Sequence, residues 1–91
     1  MRDIIHVNQS TYFTVRAAAD LLDRSVITVR RWIEHGELTA FQPGRNLLIK
    51  QRTLLQFVRR SRNRRSFPED AAERIRRAAR RAAERERARY A

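Results

Sequence analysis

The sequence predicts a mainly α-helical fold that carries a small β-hairpin and ends in a basic helix. Three observations lead there. Apolar residues recur at three- and four-residue spacing between residues 14 and 33, and again between 54 and 58. Between those stretches, Pro43-Gly44-Arg45-Asn46 separates two short extended runs. From residue 70 onward the chain is nearly all Ala, Arg and Glu, which are strong helix formers.

Taken in order, Ile4, Ile5, Val7, Tyr12 and Phe13 suit a short strand or a packed N-terminal arm, with Asn8-Gln9-Ser10 as a turn. Thr14 is placed to cap a helix starting at Val15, because its hydroxyl can accept from a free first-turn N–H. Val15, Ala18, Ala19 and Leu22 then form one apolar face, and Asp23-Arg24 ends the helix. Ser25 is the next N-cap. Val29, Trp32 and Ile33 make the inward stripe of a second helix, and Gly36 stops it, since a left-handed residue after a helix costs glycine little. Two short helices joined by about three residues form a helix-turn-helix unit. Residues 38–42 and 47–50 then read as the two strands of a hairpin wing around the Pro43-Gly44-Arg45-Asn46 turn. Leu54, Leu55, Phe57 and Val58 give a third helix that closes the core.

At Arg59 the composition shifts. Five arginines fall within residues 59–66, which reads as a solvated linker or arm. Ser66-Phe67-Pro68-Glu69 has capping-box spacing with Pro in the first turn, so a helix is expected to begin there. Its thin apolar face runs through Ala71/Ala72, Ile75, Ala78/Ala79 and Ala82/Ala83. The expected organisation is therefore a winged helix-turn-helix domain over residues 1–60 and an arginine-rich linker and C-terminal helix over 61–91.

Charge narrows the class of partner. There are 21 Lys+Arg against 10 Asp+Glu, a net of +11, and Lys50 is the sole lysine. Arginine's planar fork pairs bidentately with phosphate and with the guanine edge, so the bias suits nucleic acid. With no cysteine, thiolate zinc sites and thiol redox chemistry are excluded. His6 and His35 stand apart, and no acid–base or nucleophile constellation accompanies them. No catalytic residue, cofactor or metal site is therefore expected, and the chain reads as a binding protein and not an enzyme. No apolar run approaches the ~20 residues needed to span a membrane. The N-terminus lacks a signal-peptide apolar stretch, so the cytoplasm is the expected location.

A helix that reads DNA must enter a major groove roughly 12 Å wide and present side chains to base edges from its N-terminal half. With Val29, Trp32 and Ile33 inward, Val26, Ile27, Arg30, Arg31 and Glu34 face out. Arg30 or Arg31 suits a guanine, and Val26 and Ile27 suit thymine methyls. Ser25 and Thr28 suit phosphates at the helix N-terminus, where free N–H groups also favour an anion. The competing reading is a solvated helix face.

The ordered motifs are similar to those of one family. Residues 12–22 (Tyr12-Phe13-Thr14-Val15 onward), Ser25-Val26-Ile27-Thr28-Val29-Arg30-Arg31-Trp32-Ile33, Gly36-Glu37-Leu38, Gly44-Arg45 and Leu47-Leu48-Ile49 resemble the excisionase/MerR-type winged helix-turn-helix. The resemblance spans about residues 12–58. It implies a recognition helix from Ser25 in the major groove, with Gly44, Arg45 and Asn46 of the wing over the backbone or minor groove. Arg24 stands where the family usually has an apolar residue, and Thr53 where an acidic one is common. Arg16, Arg24, Arg62, Arg64 and Arg65 are expected as additional phosphate contacts.

Within the family, the small size and the lack of room for a sensing domain resemble an excisionase, a recombination directionality factor that binds and bends DNA. A small MerR-like transcriptional regulator is the alternative. The partners this implies are double-stranded DNA, further copies bound in tandem or as a dimer, and an integrase or recombinase, on bacterial or phage DNA in the nucleoid. Other classes also fit: an RNA-binding protein using the arginine-rich arm, or a protein-interaction module of antitoxin or packaging type. The C-terminal helix has three readings: a DNA-binding arm, a face for a neighbouring copy, or a contact for a protein partner.

Overall fold

Four helices pack around a three-stranded antiparallel sheet in a computed structural model that describes residues 3–61 and 66–90. The expected contacts at Arg62, Arg64 and Arg65 lie outside the described residues. Strand β1 (Ile4–Val7) turns directly into β2 (Ser10–Thr14). Asn8 and Gln9 both have positive φ, at 51° and 64°, the backbone that a two-residue hairpin needs to match the twist of its strands. The N-terminal segment is thus a paired strand, with Ile4 opposite Phe13 and Val7 opposite Ser10. Alternate residues of β2 are buried, placing Thr11 and Phe13 on the core side.

Thr14 caps α1 (Val15–Leu22) as expected, accepting a hydrogen bond from the Ala17 N–H at 3.2 Å. Its three alanines, Ala17, Ala18 and Ala19, are all buried, so the helix backbone lies close to its neighbours. Asp23 ends α1 in a left-handed conformation at φ 53°, with the Arg24 N–H returning to the Ala19 carbonyl. Helix α2 (Val26–Glu34) ends in a Schellman motif around Gly36, whose φ is 76°. The Glu37 N–H bonds to Trp32 O at 2.8 Å and the Gly36 N–H to Ile33 O at 3.1 Å.

The wing differs from the two-stranded hairpin expected. Only Phe41 pairs with Leu48, through two hydrogen bonds of 3.0 and 2.8 Å. Leu38 is buried and its N–H still bonds to Trp32 O, so the chain leaving α2 remains tied to that helix and aligns only at Phe41. Strand β3 (Leu48–Lys50) instead pairs along β2, completing the sheet order β1-β2-β3.

Helix α3 spans Gln51–Arg60 and buries Leu54 and Phe57. Arg59 and Arg60 therefore form its last turn and Ser61 is buried behind them, where the composition suggested a solvated arm. Helix α4 (Ala71–Tyr90) begins about four residues later than the Ser66/Glu69 pattern implied. Phe67 is drawn inward against Trp32 and Phe57, with ring centroids 5.8 and 6.0 Å apart, so residues 66–68 cannot coil into a first turn. The Ala71 N–H then bonds to Pro68 O, and the Arg74 N–H to Asp70 O.

The Ala/Ile75 face of α4, one candidate surface for a neighbouring copy, packs on this chain. Ala71, Ile75 and Ala79 join Phe13, Leu22, Val29, Trp32 and Phe57 in one hydrophobic cluster. The helix lies against β1, β2, α1 and α3. Among the described residues, no helix is long and apolar enough to cross a membrane.

Candidate nucleic-acid interface

Ser25 sets the start of α2. Its side-chain oxygen accepts from the Thr28 N–H at 3.1 Å and lies 2.9 Å from the Thr28 hydroxyl. Both hydroxyls are thereby engaged in the first turn, and Ser25 stays exposed. The helix is sharply two-sided. Val29 is fully buried and Trp32 is 8% exposed, whereas Ile27 is 64% and Val26 37% exposed. Arg30, Arg31 and Glu34 share the exposed side. The seven residues expected from sequence thus fall in a single short helix and its cap, five of them on its solvent side.

Leaving two β-branched residues in water while anchoring the opposite side with an indole costs solvation free energy unless a partner covers them. The outer face combines methyl-bearing surface with hydrogen-bond forks and one acid. That mixture matches the donor, acceptor and methyl pattern of base edges better than a uniform charge would.

The wing follows α2 in the chain and is braced by the sheet. Tyr12 of β2 meets Phe41 edge-on at 5.2 Å, and Phe41 remains 44% exposed. Gly44 has φ 104°, a region that side-chain-bearing residues rarely adopt. Gln42 Nε2 donates to Arg45 O at 3.0 Å, which closes the turn and leaves the Arg45 and Asn46 side chains in solvent. Phe41 is absent from the residues expected from sequence; an aromatic next to a Pro-Gly turn in a basic segment is the signal that points to it. Arg16 is exposed on α1.

Arg24 has an internal role. Its Nη2 donates to Ser66 O at 2.6 Å, its Nη1 reaches the Leu22 and Asp23 carbonyls, and its guanidinium lies 5.1 Å from the centre of the Phe67 ring. Nearby, Arg74 pairs with Asp70 at 3.0 Å and with Asp23 at 3.5 Å. The Asp70 hydrogen bond, opposed in part by burial, holds the Arg74 guanidinium above its ordinary range. The turn between α1 and α2 is therefore latched to the approach to α4. Sequence reading misses Ser66, Phe67 and Arg74 in this role, because contacts about 40 to 50 residues apart have no local pattern.

Residues 12–62 match the helix-turn-helix domain family. The chain belongs to that family, which includes excisionase-like DNA-binding proteins. With its sheet and short wing, this member has a winged helix-turn-helix fold. Comparison with curated proteins and with solved structures gives no further match. The family match ends just after α3, so α4 is an addition to the part of the domain that defines the family.

Proposed function

We propose that this helix-turn-helix protein reads duplex DNA with the outer face of α2 and acts as an excisionase-type factor, binding and bending its site. The observation that carries the reading is the division of α2 between a buried Val29/Trp32 side and an exposed side of Val26, Ile27, Arg30, Arg31 and Glu34. Arg30 or Arg31 holds a guanine, Val26 and Ile27 meet thymine methyls, and Arg45 with Asn46 steadies the backbone at the wing. Arg16 and the α2 N-terminus add phosphate contacts. The excisionase assignment is supported by the motif series and by the membership of the family. The work would take place in the cytoplasm, on bacterial or phage DNA.

The test begins by selecting a preferred duplex from a random pool. Arg30→Ala or Arg31→Ala should then weaken binding to that duplex by ~1–3 kcal/mol while leaving random duplex nearly unchanged. Equal losses on both duplexes would refute base reading by that arginine. A circular-permutation bend assay on the selected site tests the finer assignment. Selective binding without a bend would favour a small MerR-like regulator.

A further inference from the structure

Helix α4 lies beyond the family match, yet it is fastened to the domain at several points. Its inner face needs only Ala71, Ile75, Ala79 and Ala82, all buried. Packing places no such demand on the outer face, which is overwhelmingly basic. Residues 71–90 hold eight arginines and three glutamates, a net of +5, and seven of the eight arginines are exposed. Several stand one helical turn apart, including Arg76–Arg80, Arg77–Arg81 and Arg81–Arg85, and like charges at that spacing destabilise a helix. Arg77 has a neighbouring acid, Glu73, at 3.6 Å. A helix serving only as a strap would gain by replacing these repulsions with acids.

The latch gives this surface a fixed seat. Arg24 grips Ser66 O, Phe67 is wedged beside Trp32 and Phe57, and Arg74 meets Asp23. At about 100° per residue, Arg76, Arg80 and Arg87 fall within an arc of roughly 40° and span about 16 Å of helix axis. Duplex DNA carries one phosphate per ~3.4 Å along each strand, so that span faces about five phosphates.

We propose that the outer arginine ridge of α4 is a second binding surface, one that takes the sugar-phosphate backbone of duplex DNA without reading sequence. It rests on the duplex-binding reading of the chain but not on base recognition by α2. The core holds the ridge in place before DNA arrives, so no folding of an arm accompanies binding. The backbone it grips belongs either to the duplex under α2, beyond the recognition site, or to a second duplex.

The experiment uses the full chain with Arg76→Gln, Arg80→Gln and Arg87→Gln combined; glutamine retains helix propensity. Circular dichroism melting confirms the fold. Binding to a random 40-base-pair duplex is measured across a salt series. The expected result is an affinity drop on the order of tenfold, with a log–log salt slope shallower by about 0.9 for each phosphate that the variant no longer neutralises. Lysine at the same three positions should restore the slope. Two duplexes carrying donor and acceptor dyes distinguish the sources. Energy transfer that the variant abolishes assigns a second duplex. No transfer, with weakened binding on 40 but not on 15 base pairs, assigns the same duplex.

A folded variant with unchanged affinity and slope overturns the proposal. So does a ridge effect confined to an RNA hairpin, or one seen only with an acidic protein competitor. Failure of the α2 reading is separately visible, because Arg30→Ala alters discrimination between selected and random duplex while the ridge variant alters the salt slope.

Discussion

Helices α2 and α4 are both basic and both amphipathic, yet their two sides are built differently. Helix α2 buries large shapes, Val29 and Trp32, and exposes a varied surface of two aliphatics, two arginines and a glutamate. Helix α4 buries mostly alanines around Ile75 and exposes arginine almost throughout. The contrast suits the two tasks proposed for these helices, base reading by α2 and backbone binding by α4. Base edges differ in donors, acceptors and methyl groups, so reading them takes mixed chemistry held rigidly by a deep anchor. Phosphates are all alike, so gripping them takes charge and spacing. The two surfaces nevertheless share one core, through Trp32, Phe57 and Phe67.

That shared core can be broken first. Trp32→Ala should cost ~3–5 kcal/mol of stability, since the ring packs on Phe57 at 5.0 Å and on Phe67. Urea unfolding followed by circular dichroism measures it, and both helices should melt together. If α4 melts separately while α2 persists, the two regions do not share one cooperative core.

Arg24→Leu separates the regions more gently. It removes the Ser66 hydrogen bond and the contact with Phe67. A destabilisation of about 1–2 kcal/mol is expected, concentrated at the approach to α4. Hydrogen exchange should be faster at the start of α4, with α1 and α2 little changed. Uniform exchange across all helices would mean that the latch is not local.

Ser25→Ala should act on α2 alone. Removing the cap of the Thr28 N–H should cost ~1 kcal/mol and fray the first turn, just where Val26 and Ile27 are presented. Thermal melting measures the stability change, and binding to the selected duplex should weaken while the salt slope stays near that of the parent chain. A wild-type melting temperature would show that the cap contributes little in this exposed setting.

Much of the domain was legible in the sequence for a local reason. Thr14, Ser25 and Gly36 mark helix ends through hydrogen bonds that reach no more than five residues, so their chemistry is written where it acts. The 3.6-residue period placed Val29 and Trp32 inside and Arg30 and Arg31 outside for the same reason. The wing was only half legible. Its turn is local, but whether a flanking run becomes a strand depends on who pairs with it, and β3 found β2 while Leu38 stayed tied to α2. The start of α4 was misplaced because a capping-box pattern was outweighed by the packing of the half-buried Phe67 against Trp32 and Phe57.

What the sequence determined by itself, then, was the helix-turn-helix, the identity of the outward face of α2 and the basic character of both halves. Periodicity, caps and charge are properties of short stretches of chain. Tertiary structure alone decided that Arg24 serves Ser66 and Phe67, that the N-terminal strands complete the wing's sheet, and that α4 sits on the core with its arginines turned outward. Those outcomes join residues tens of positions apart, and they are settled by which apolar surfaces can be buried together once the chain has folded.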